Sequence, residues 1–142
     1  MKKNITTKNI DAVLKFLPYF EDDKNHFYDY HDFEKVQKKD GYVLMCPYYI
    51  YSKEVITFIE TLYNENIVFP FDWGEWQEEA IRYFNNPDLI KSADTLTLRK
   101  LLTLHVRKDR FFDGHLALVI DSGHLISILK RLKELRSKIK NK

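Results

Sequence analysis

One cysteine, four glycines and four prolines are spread over 142 residues, and no apolar run is long enough to cross a membrane, which takes about 18 residues. Each scarcity excludes something. A lone Cys46 cannot close an intramolecular disulfide or build a multi-cysteine zinc site, and it points to a reducing compartment. Met1-Lys2-Lys3 has the charge of a signal peptide's start, but Asp11 and Lys15 interrupt the apolar residues behind it, so no h-region follows. The expectation is a soluble cytoplasmic protein with no membrane segment. With no Gly/Pro-rich linker, repeat or low-complexity stretch, residues 1–142 read as one helical domain, large enough to bury a core without staples.

What is present is charge, unevenly placed. From His124 to Lys142 seven Lys and Arg residues face Glu134 alone, so this segment carries +6 and the rest of the chain −4. A basic terminal helix of this kind suits nucleic acid or an acidic protein partner. The plainer alternative is that its lysines solvate an outer face.

Apolar spacing predicts an all-α fold, a compact bundle of about six helices. Thr7 is placed as the cap of a first helix with Ile10, Val13, Leu14 and Leu17, ending near Pro18. Ser52 opens a second helix, Asp72 a third that carries Trp73 and Trp76, and Asn85-Asn86-Pro87 stop it. A short helix spans about 88–91, another starts at Thr95 or Thr97, and the last runs 124–140 with a near-heptad stripe. Residues 19–34, "YFEDDKNHFYDYHDFE", show no clean period and read as irregular. "YVLMCPYYIY" at 42–51 reads as a short extended or β segment, too isolated to build a sheet. Its Cys46, beside Pro47, is expected to be buried and inert.

The densest polarity is "RKDRFFDGH", residues 107–115. On a helical wheel starting at Leu98, Leu102, Val106 and Leu101 define the buried arc, and His105 and Asp109 fall within it at about 340° and 20°. They are also i and i+4, close enough to touch. Two readings follow. One is an Asp-oriented imidazole in a pocket, the geometry of a general base. The other, preferred, is that Asp109 caps the following helix at Arg110 while His105 donates to it or to a backbone carbonyl. Arg107 points outward, Arg99 and Arg110 lie on the rim, Phe111 and Phe112 are expected to plug the corner, and Gly114 with His115 opens the next helix.

The segments "FDWGEWQEEA", "ADTLTLRKLLTLHVRKDRFFDGHLA" and "SGHLISILKRL" resemble a family of small bacterial and archaeal proteins of unknown function, over roughly residues 71–132. The resemblance implies that Arg107, Asp109, Arg110, Phe111 and Gly114 lie on the family pattern. It carries no activity with it.

Three functional readings compete. The favoured one is a binding or interaction module: Arg107, Asp109, Arg110, His105, His115 and Arg99, with Trp73 and Trp76, form a candidate site for an anionic small ligand or an acidic protein, since guanidinium groups grip carboxylate or phosphate and indoles stack. The second is an enzyme. Arg99, five residues and His105 resemble the Arg–x–His signature of HEPN-type ribonucleases, although the two residues lie about 120° apart on the helix and Lys100 departs from the pattern. The third is nucleic-acid binding through the basic C-terminal helix, with no accompanying recognition motif. His26, Asp29, His31 and Asp32 carry metal-ligand chemistry, but their spacing fits no metal motif and six aromatics share the stretch, so a packed surface loop is preferred. No cofactor is expected.

Overall fold

The computed structural model describes residues 4–139, so Lys140 and Lys142 of the basic segment lie outside the described residues. The element order is α1 (Thr7–Leu14), α2 (Leu17–Glu21), β1 (Tyr28–His31), β2 (Glu34–Lys38), β3 (Gly41–Met45), β4 (Tyr48–Tyr51), α3 (Lys53–Asn64), α4 (Gln77–Asn85), a 3-10 turn (Pro87–Ser92), α5 (Thr95–Asp109), α6 (His115–Asp121) and α7 (His124–Ser137). The expected all-α bundle is therefore corrected to a mixed α and β fold: seven α-helices and two two-stranded antiparallel sheets among the described residues.

The caps refine the expected helix starts. Thr6, one residue earlier than expected, caps α1 in a reciprocal capping box with Asn9. Pro18 sits in the first turn of α2 rather than ending α1, where its missing N–H costs nothing. Ser52 caps α3 through Val55 N–H, and Asp94 caps α5 through Thr97 N–H at 2.8 Å. Asp72 accepts from Glu75 N–H at 3.2 Å, but it caps only a turn, and α4 proper starts at Gln77.

α5 lies at the centre. Every residue from Leu101 to Val106 is buried, as in a helix surrounded by protein on all sides. It packs against α4, α6 and α7, and α7 in turn meets α1, α2, α6 and the 3-10 turn. Phe58, Leu62, Ile67, Leu98, Leu101, Leu116, Leu125, Ile128 and Leu132 fill the space between them.

The four strands form one long antiparallel ribbon. His31 pairs with Tyr48 and Glu34 with Met45, so the register continues unbroken across Asp32-Phe33 and Cys46-Pro47. Pro47 has no N–H to give to a ladder, which accounts for the gap between the two sheets. Lys39-Asp40 makes the two-residue turn, followed by Gly41 at φ +134°. The inner half, β1 with β4, lies against the helices. The outer half projects, and every residue of β3 is exposed. Cys46 is exposed as well, contrary to the buried position expected.

Candidate functional site

The charged corner at 107–115 is where the ribbon joins the helices. Asp109 Oδ1 accepts from Leu116 N–H at 2.8 Å and from the Tyr51 hydroxyl at 2.7 Å, and the Tyr51 oxygen accepts from Ala117 N–H at 3.1 Å. Asp113 Oδ2 accepts from Tyr49 N–H at 3.0 Å, and the Tyr28 hydroxyl donates to Asp121. Three aspartates of one helical corner thus hold three tyrosines of the ribbon. Burial first, then the hydrogen bond to Asp109, pushes the Tyr51 pKa up, and the Asp121 bond with burial pushes Tyr28 up to about 12. Both phenols therefore stay protonated and donate. Tyr51→Phe leaves Ala117 N–H unpaired and takes one donor from Asp109, so it is expected to cost about 1–3 kcal/mol in urea unfolding.

His105 and Asp109 do not pair with each other. Asp109 turns to the α6 N-terminus, while His105 turns the other way: its Nδ1 lies 3.0 Å from His115 Nε2, with the two rings stacked at 5.2 Å. His124, at the first position of α7, meets the His105 ring edge to face at 5.0 Å, with Phe84 beyond it at 5.1 Å. Burial is the main cause holding all three imidazoles below their ordinary pKa: His105 well below, His115 below, and His124 at about 4. Neighbouring histidines and Lys108 add to the effect at His105. The cluster is therefore neutral at pH 7, and one of the two nitrogens between His105 and His115 donates to the other. His105 Nε2 and His124 Nε2 are buried with no hydrogen-bond partner.

His105 and His115 line a cavity of about 240 Å³ among α4, α5 and α6. Its walls are Ala80, Ile81, Phe84, Leu104 and Leu118, with Gln77, Asn85 and Lys108 as the other polar groups. Among the described residues Lys108 makes no ion pair, and its ammonium sits 5.6 Å from the Phe112 ring centroid.

The remaining sequence candidates fall elsewhere. Arg107 and Arg110 place their guanidinium groups 5.6 and 5.8 Å from the Tyr63 ring centroid. Trp73 packs on Phe111 at 5.9 Å, and Trp76 lies beside Tyr83 and Phe71. Phe111 and Phe112 do not plug the core; they are 72% and 60% exposed. Arg99 is buried, donating to the Ile67 and Asn66 carbonyls at 3.3 and 2.7 Å and stacking on Phe69. It holds a loop in which Asn66 has φ 59°, and it points away from the His105 cavity, so the arginine and histidine of the ribonuclease-like pattern do not meet. In the basic helix, Arg136 is bound to Asp11, Arg131 to the Ala93 carbonyl and Glu134, and Lys130 lies 3.9 Å from Glu21. These cations seat α7 on its neighbours. His26 bonds Asp29 at 2.6 Å and His31 stacks on Tyr48, and no group of three or more His, Cys, Asp or Glu among the described residues is arranged to hold a metal ion.

Sequence reasoning missed His124, Lys108, and the tyrosines Tyr28, Tyr49 and Tyr51. Lys108 follows His105 at i+3 and was open to view. The period-two aromatics Tyr28 and Tyr30, matched by Tyr49 and Tyr51 across a Lys-Lys-Asp-Gly turn, carried the ribbon's signal.

A family model for DUF6508, a family of unknown function, matches residues 5–138. The chain belongs to that family. The match takes in the ribbon and α1 as well as the 71–132 region with its corner and histidines. No curated protein and no solved structure matches the chain. No helix among the described residues is long and apolar enough to cross a membrane.

Proposed function

We propose that the chain is a binding module whose ligand is a small anion with an apolar body, seated in the cavity among α4, α5 and α6. The observation that carries this reading is that His105, whose Nε2 is buried and unpartnered, lines a pocket together with Lys108. An orphaned buried imidazole nitrogen costs about 1–3 kcal/mol, and a bound polar group removes that cost. Apolar walls would take the body of such a ligand, and its acidic group would accept from the Lys108 ammonium and from the one ring N–H that the bonded His105–His115 pair leaves free.

Benzoate and its uncharged counterpart benzamide are suitable probes. Benzoate is expected to shift the His105 and His115 ring resonances in NMR titrations, and Lys108→Ala to weaken it about tenfold, the worth of one charge-assisted bond. Equal binding of both probes, or shifts confined to residues outside the cavity, would overturn the reading.

A further inference from the structure

The outer half of the ribbon is a surface whose shape and charge fit one occupant. β2 and β3 project from the helices with neither outer edge making a backbone hydrogen bond among the described residues. A lone two-stranded hairpin is marginal in water and gains from a third and fourth strand. β3 is uncharged, so pairing along its edge would have no preferred register. β2 reads Glu34-Lys35-Val36-Gln37-Lys38, and its charges are self-complementary. Laid antiparallel on a copy of itself about Val36, it sets Glu34 opposite Lys38 twice and Lys35 opposite Gln37 twice. A shift by two residues in one direction brings Lys35 against Lys39 and Glu34 against Asp40, and in the other it brings Lys35 against a second Lys35. Lys35 is already drawn to its own ribbon, 5.8 Å from the Tyr42 ring centroid on the same face, and does not oppose the pairing.

We infer that β2 pairs with β2 of a second copy of this chain, giving a four-stranded sheet in the order β3-β2-β2-β3 around a two-fold axis. Val36, Val43 and Met45 share one face of each ribbon. The two-fold then joins them into a single apolar strip across the sheet.

Charge exchange at the two ends of β2 tests this. Sedimentation of the full chain at low salt should show a dimer. Glu34→Lys sets lysine against lysine at both ends, and Lys38→Glu sets glutamate against glutamate. Each alone should raise the dimer Kd roughly tenfold or more. Mixing the two variants should restore a dimer containing one of each, and the double variant E34K/K38E should dimerise by itself. Because recovery is read from proteins that fail singly, a folding defect would not imitate it. A monomer at all concentrations, a dimer indifferent to both substitutions, or an edge that pairs only with an unrelated strand would each overturn the inference.

Discussion

Gly114→Ala is expected to lower stability by about 2–4 kcal/mol, the sum of two separable costs. Gly114 has φ +91°, in the left-handed region, where any Cβ is strained. A Cβ there would also lie within 2.7 Å of Cδ1 and Cζ of the Tyr49 ring. That ring belongs to the strand held by Asp109 and Asp113, so relieving the overlap means moving β4 off the corner. Gly123 supplies the control: it has φ +82° with nothing within 4 Å of an added Cβ. Gly123→Ala should therefore show the backbone cost alone, about 1–2 kcal/mol. The excess at Gly114 measures the clamp on Tyr49, and amide exchange at residues 48–51 should quicken with it. Equal losses in the two variants would mean that Tyr49 swings aside freely and that the corner does not hold the ribbon.

This corner shows what a sequence can and cannot reveal. Local order was legible: apolar residues at helical spacing marked α3, α5 and α7, and Ser52 declared its cap. The wheel also turned His105 inward correctly, because that depends only on its own helix. Pairing across the chain was not legible. Tyr48–Tyr51 finds its partner at 28–31, across the turn, and β2 and β3 between them, exposed on both faces, have no inside-outside alternation to betray them. Asp109 lay close enough on the wheel to be assigned to His105. Its actual partners, Leu116 N–H and Tyr51, come from beyond a glycine turn and from a strand far away in the chain. His115 and His124 reach His105 from two further helices, a convergence set by packing rather than by spacing.

That convergence predicts acid sensitivity in a defined window. Three histidines with pKa values lowered by folding bind fewer protons in the native state than in the unfolded chain, where each titrates near 6.5. Stability then rises with pH wherever the unfolded state holds more protons. The histidine contribution is complete above about pH 7, begins to fall as pH drops through 6.5, and for His124 is exhausted near its folded value of about 4. His124 alone accounts for about 3 kcal/mol across that interval, and His105 and His115 act in the same direction. The carboxylates behave separately. Asp11, drawn down by Arg136, and Asp94, drawn down by Thr97, keep their contributions until pH falls below about 3.8. Urea midpoints should therefore fall between pH 7 and 5, a range in which those two aspartates stay ionised. Ring proton resonances of the three histidines should titrate below 6.5, that of His124 around pH 4. A flat urea midpoint across that interval, or a His124 midpoint near 6.5, would show that the cluster opens to water and that its imidazoles are not held neutral by the fold.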